Sequence, residues 1–361
     1  MRVQLIHPSE LGPSEICAWR AMQRATPSLN NPFLSPDYAI AVGSFRPQSR
    51  VAVLMDGNHI TGFFPFEKRR LGIGVPISGW LSPCQGVVHE AHAEWNAADL
   101  VRACGLAAWK FDNLLPDQKP FEPYHAATMP TPVIDLSRGF DAYYTGLRAR
   151  ASDFCRELER KARKMEREIG SLTAECDSRD RNALAALVSW KSEQYRRTAH
   201  VDRFEQPWLA CLLETLLAPR GIEFTGLLSV LSAGGRPVAA QFGLRSGDLL
   251  VGWFTGYDPL CAKYSPGLIH LLRMAENLAA TVNTIHMGKG ALRYTRSLRN
   301  HEIIVSEGVV TAKSALGVTQ HAYNLTSKQA LAAARQSPRL HAGLDTILRR
   351  AGVSRRTYGR I

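Results

Sequence analysis

The sequence predicts an α+β (mixed α/β) protein of two units of similar plan, each a mixed, largely antiparallel sheet flanked by helices. Three observations carry this reading. Residues 51–64 and 227–254 both read as short apolar runs joined by tight turns, helix-like sequence precedes each, and a Pro-rich stretch followed by an amphipathic helix separates them. The 361 residues suit about two domains. With 45% apolar and 21% charged residues, disorder and fibrous repeats are excluded.

The first hairpin turns at Asp56-Gly57, between Val51–Met55 and Ile60–Phe64. Residues 116–132 are rich in Pro and poor in periodicity, as an interdomain crossing is, so the boundary is placed at 132. From Gly139 to Ile169, Leu147, Ala151, Phe154, Leu158, Ala162, Met165 and Ile169 recur every three or four positions, which predicts one helix ending near Gly170. Further helices are predicted over 180–197 and 207–217. A three-strand meander follows, turning at Gly234-Gly235 and at Ser246-Gly247-Asp248. Ser265-Pro266 then reads as N-cap and first residue of a helix from 266 onward. Thr284 to Met287 reads as a strand, and Ile303 to Val310 as a hairpin turning at Glu307-Gly308.

The net charge of +12 allows an anionic partner, and half of it lies in the last 27 residues, with seven Arg against one acid, Asp345. The basic helical extension 321–361 reads either as a solvated end or as a docking segment for an anionic partner. No zinc spacing or aromatic-interleaved basic platform points to DNA. Seven scattered cysteines without a C-x-x-C pair indicate neither a disulfide framework nor a metal site. A reducing cytoplasm is the expected location. MRVQLIHPSE lacks a signal-peptide core, and the longest uncharged run, Leu71 to Val88, is broken by Gly and Pro, so no transmembrane segment is expected.

The segment Trp253 to Leu268 places a polar turn between a strand and a capped helix, where free N–H groups and the macrodipole suit a pyrophosphate or carboxylate. Lys191 and Tyr195, four apart, share a helix face suited to substrate contact. Asp258 before Pro259 reads as a turn residue. No Ser-His-Asp or Cys-His arrangement stands at diagnostic spacing, which disfavours a covalent acyl-enzyme.

Trp190-Lys191-Ser-Glu-Gln194-Tyr195-Arg196-Arg197-Thr198, Pro237-Val-Ala-Ala-Gln-Phe-Gly-Leu-Arg-Ser-Gly, Tyr257-Asp258-Pro259, Tyr264-Ser-Pro-Gly267 and Gly288-Lys289-Gly290 stand in the order and spacing of a known family. The chain resembles the CelD-like (cellulose-biosynthesis-type) acyltransferases of the GNAT superfamily, specifically from about 143 to 310. Asn31-Pro-Phe-Leu-Ser-Pro-Asp-Tyr and Gly62-Phe-Phe-Pro-Phe carry it more weakly over the first unit.

The resemblance implies two tandem GNAT-like units in a Fem-like arrangement, 1–132 and 133–320, with acetyl-CoA or another acyl-CoA as co-substrate of the second and no tightly bound cofactor. It implies that the strand ending near Tyr257 splays from Thr284–Met287. Ser265, Gly267, Leu268 and Lys289 would lie at the donor, and Lys191, Tyr195 and Tyr294 at a saccharide or amine acceptor. Family members carry an acid at the end of the later strand, then an acid and a Tyr-Lys pair; here His286, Ala291, Tyr294 and Thr295 stand instead. His286 then reads as a base, as a structural or substrate-contacting residue, or as lost activity. Tyr257 reads as proton donor to the thiolate or as a packed aromatic. The function implied is acyl-CoA-dependent N- or O-acyl transfer in cell-envelope or exopolysaccharide biosynthesis. An aminoacyl-tRNA-dependent transferase and a non-catalytic assembly protein are the alternatives.

Overall fold

Local turns build the first hairpins, and long-range pairing then joins them into one sheet. The computed structural model describes residues 2–218, 221–288 and 295–312. The stretch expected to form the first unit holds β1 (Arg2–Ile6), α1 (Pro13–Ala25), α2 (Pro36–Gly43), β2 (Ser49–Asp56), β3 (His59–Lys68), β4 (Ile73–Pro76), β5 (Val88–His89), α3 (Ala97–Ala103) and β6 (Ala108–Leu114). Next come β7 (His125–Asp135), α4 (Gly139–Arg150), α5 (Ser152–Glu168), β8 (Leu172–Glu175), α6 (Arg181–Arg197), α7 (Pro207–Leu217), β9 (Thr225–Ala233), β10 (Arg236–Ser246) and β11 (Leu249–Tyr257). The described chain closes with α8 (Pro266–Leu278), β12 (Thr284–His286), α9 (Thr295–Leu298) and β13 (His301–Thr311).

The described strands form one sheet in the order β1-β2-β3-β4-β6-β13-β7-β12-β11-β10-β9-β8, with β5 beside β3. Most pairings are antiparallel; β4 with β6 and β11 with β12 are parallel. On one face of the sheet, α6 and α7 pack Leu187, Leu209, Leu212 and Leu216 onto Phe242, Val251 and Phe254, in a core continuous with Trp19 of α1 and Phe63 of β3. On the other face, α4, α5 and α8 bury Leu147, Cys155, Met274 and Leu278 against Ile134, Leu250 and Ile285. Burying these large side chains supplies most of the drive to fold, at about 1.5–3 kcal/mol each.

Three expected elements differ. The helix over 139–169 is two, because Ala151 lies at φ −149°, ψ 50° between α4 and α5. Alanine does not oppose a helix, so its identity carries no sign of the break. The segment before 132 is not irregular throughout: β7 crosses the boundary as an eleven-residue strand containing Pro130 and Pro132. The Met287 N–H donates to the Pro132 carbonyl, so the polar edges of Pro132 and of Pro130 two residues earlier face the β12 side, away from β13. Their missing N–H groups therefore cost the β7–β13 ladder nothing. Finally, 303–310 is no hairpin. β13 runs straight through with a bulge at Glu307/Gly308, pairing β7 on one edge and β6 on the other. A Cβ on Gly308 would lie 2.1 Å from the Tyr124 carbonyl oxygen, so this glycine serves close approach rather than a turn.

Candidate active site

The parallel ladder between β11 and β12 is short. It pairs Leu249 with Thr284, Leu250 with Ile285 and Val251 with His286, after which β12 ends while β11 runs on to Tyr257. Among the described strands nothing pairs that edge of β11 from Gly252 onward, so a gap opens between β11 and β7. Just past the divergence the register against β10 shifts, with Phe254 opposite Phe242 and Gly252 opposite Gly243, leaving Trp253 as an extra residue. The Trp253 Nε1–H donates to the Leu81 carbonyl at 2.8 Å, tying the bulge to the first unit. Gln241 and Thr255 bond side chain to side chain at 3.1 Å, and a Cβ on Gly252 would lie 2.8 Å from Gln241 Nε2.

Beyond the gap, Asp258 accepts from the Leu260 N–H as a turn residue, and the chain enters α8 through Ser265 and Pro266. Ser265 is at the N-cap as expected, but its left-handed φ of 57° turns the hydroxyl away from capping. It receives Lys161 Nζ of α5 at 2.9 Å instead. Its carbonyl accepts from the N–H groups of Leu268 and Ile269. The Gly267 N–H, in the first turn of the helix, has no such backbone partner among the described residues, and Lys161 reaches the same helix start through the Ser265 hydroxyl.

The predicted site residues divide between the two faces. Ile285 lies in the α8-side core, so His286, with its neighbours Val251 and Val133, turns to the α6/α7 side. Gly256 faces Leu187 of α6; Tyr257 therefore turns the opposite way, and a Cβ on Gly267 would lie 3.6 Å from its ring. Tyr257 thus groups with Ser265, Gly267 and Leu268 at the start of α8. His286 shares its face with α6, where Lys191 and Tyr195 meet. Lys191 Nζ lies 5.3 Å from the centre of the Tyr195 ring and 3.0 Å from Gln194 Oε1. Lys289, Ala291 and Tyr294 lie outside the described residues, as does the extension 321–361.

Burial sets the charges here. It pulls the Lys191 ammonium down to about 8 and pushes the Tyr195 hydroxyl up to about 12. Burial, assisted by the neighbouring His301, pulls His286 down to about 4, so its imidazole is neutral at physiological pH. Sequence reasoning missed Lys161, which looked like one more charge on a solvated helix face, and Gln241, whose cue was the small Gly252 across the strand.

The first unit contains a counterpart of the gap that is already filled. β4 and β6 pair in parallel only at Ile73–Ala108 and Gly74–Trp109 before diverging. There the Gln85 side chain accepts from the Asp112 and Asn113 N–H groups at 2.9 and 3.1 Å, while its backbone bridges Asn113 and Leu115. The chain's own backbone and amide occupy the place that corresponds to the edge of β11 that no described strand pairs beyond Val251.

Comparison with known proteins agrees with this geometry. Residues 152–296 match the family profile of an acetyltransferase (GNAT) domain. The chain therefore carries a GNAT acetyltransferase domain, and it is an acyltransferase. The fold is similar to that of FemX, with 9% identity over 85% of this chain and 96% of that one and a TM-score of 0.56. It is also similar to the C-terminal domain of a protein described as a lysylphosphatidylglycerol synthetase from Agrobacterium fabrum, with 11% identity, coverage of 86% and 96%, and a TM-score of 0.52. A conserved protein of unknown function from Bacteroides thetaiotaomicron gives 8% identity, coverage of 86% and 100%, and a TM-score of 0.50. At such identities these likenesses concern the fold alone. No protein of curated function matches the sequence.

Proposed function

We propose that the protein is an acyl-CoA-dependent acyltransferase whose donor lies in the gap between β11 and β7, with its pyrophosphate at the start of α8. One observation carries this reading: the ladder stops at Val251–His286 and leaves the edge of β11 open, whereas the corresponding gap in the first unit is closed by Gln85. Open strand edges present N–H and C=O groups at the spacing that pantetheine amides require. The Gly267 N–H and Lys161 supply positive potential for the pyrophosphate. The division into units 1–132 and 133–320 is part of the proposal, with catalysis in the second and Lys191 and Tyr195 contacting the acceptor.

Transfer is direct. The acceptor's lone pair attacks the thioester carbonyl, an unpaired β11 N–H stabilises the oxyanion, and the C–S bond breaks with its electrons leaving on sulfur. His286 takes the acceptor proton, and Tyr257, beside the start of α8, donates to the departing thiolate. The biological setting proposed is cytoplasmic acylation in cell-envelope or exopolysaccharide synthesis. The reading is tested by calorimetry with CoA and with acetyl-CoA on wild-type protein and on Gly267→Asp. Micromolar binding to the wild type, weakened in the variant, is the outcome it requires.

A further inference from the structure

We propose that Thr131 of β7 and His286 of β12 together seat the nucleophilic nitrogen of the acceptor, a primary amine, at the point where β12 ends. The proposal rests on the acyl-CoA reading of the gap. Val133 pairs with His286, and Thr131, two residues earlier on β7, shares its face. On the other edge of β7, Ile303 lies opposite Thr131 and joins the α6/α7-side core, which fixes that face independently. Thr131 therefore stands one step past the last residue of β12, across the gap from Trp253.

Thr131 is 4% exposed and His286 8% exposed, and among the described residues neither Thr131 Oγ1 nor His286 Nδ1 has a hydrogen-bond partner. A buried polar atom without a partner is costly, and two on neighbouring strands at one opening point to a missing third group. A primary amine fits. One N–H donates to Thr131 Oγ1 and the other to His286 Nδ1, leaving the lone pair for the thioester carbonyl. A hydroxyl satisfies both only by donating to Nδ1 and accepting from the Thr131 hydroxyl, which draws electron density from the very oxygen that must attack. Burial keeps the imidazole neutral, but as a base of pKa about 4 it is too weak to strip a hydroxyl in advance of attack. A neutral amine attacks without prior deprotonation. When the C–N bond has formed, its acidic ammonium passes a proton to Nδ1, and the thiolate leaves. Thr131 positions the nitrogen and takes no proton.

The test uses full-length protein, acetyl-CoA as donor and O-methylhydroxylamine as a small acceptor that reacts only through nitrogen, with free CoA measured by thiol titration. Thr131→Val should lower kcat/KM for the acceptor about tenfold, the scale of one lost hydrogen bond. CoA affinity by calorimetry should stay within about twofold, and Thr131→Ser should restore the rate. Because the hydroxyl has no partner among the described residues, Thr131→Val should also melt no lower than wild type. Wild-type kcat/KM in Thr131→Val, or a clear loss of its thermal stability, overturns the proposal while leaving the donor site standing. Failure of the wild type to bind CoA overturns the donor reading and this proposal with it.

Discussion

Val251 and His286 are the last residues that β11 and β12 hold in common, and the opening that begins at this pair organises the second unit. Above it the strands are neighbours in a closed ladder. Below it β11 curves away, bulges at Trp253 and delivers Tyr257 to the start of α8, while His286 remains buried on the opposite face.

The start of α8 gives the first prediction. Gly267 has a negative φ and room for a Cβ, since its nearest contact would be an ordinary 3.6 Å to Tyr257. Gly267→Ala should therefore keep most CoA affinity. Gly267→Asp should lose about tenfold or more, because a carboxylate replaces attraction with repulsion at the helix N-terminus. Calorimetry on the two variants separates charge from bulk.

Lys161 gives the second. Among the described residues its only carboxylate contact is a part-exposed pair with Glu157 at 3.7 Å, which contributes little to stability. Lys161→Met should leave the melting temperature nearly unchanged and weaken CoA binding about threefold to tenfold, less so as salt is raised. Equal CoA affinity in the variant at low salt would remove Lys161 from the donor site.

His286 and His270 give a pH dependence. Burial lowers both to about 4, whereas in the unfolded chain each titrates near 6.5. Between those values the unfolded state binds more protons, so the stability these neutral rings provide is complete above pH 6.5 and is lost as pH falls toward 4. Melting curves should show this acid limb, and His286→Asn should flatten it. With O-methylhydroxylamine, whose nitrogen is already neutral in this range, acyl transfer by a base of this kind should be nearly independent of pH from 6 to 8; a rate that climbs through 6.5 would say that the imidazole is solvated.

Much of the fold could be read locally. The turns at Asp56-Gly57 and Gly234-Gly235 and the Pro at the start of α8 act through their own backbone preferences, so sequence alone exposes them. β13 could not be read that way. Its two partners, β6 and β7, are chosen by pairing over more than 150 residues, and Glu307-Gly308 looks the same whether it makes a turn or a bulge. The break at Ala151 likewise has no local cause in the residue itself. In the site, the resemblance singled out His286 and Tyr257, but only the strand register shows that they lie on opposite faces. Lys161 and Thr131 carry no motif, and their roles arise from what the fold brings beside them.

Gly308 tests the shared strand. With a Cβ 2.1 Å from the Tyr124 carbonyl oxygen and 2.6 Å from the Phe111 ring, Gly308→Ala should destabilise the protein by about 2 kcal/mol or more, read from urea melts. Both units should unfold together, because β13 belongs to both.

The number of CoA molecules bound per chain tests the central claim most directly. Isothermal titration of the full-length protein should give one site, because Gln85 already satisfies the backbone N–H groups in the first unit's gap. Gln85→Ala should lower the melting temperature, through the loss of bonds to buried groups, without adding a second site. A single site abolished by Gly267→Asp is the predicted result. Two equivalent sites, or one site indifferent to Gly267→Asp, would contradict the assignment of the donor to the β11 gap.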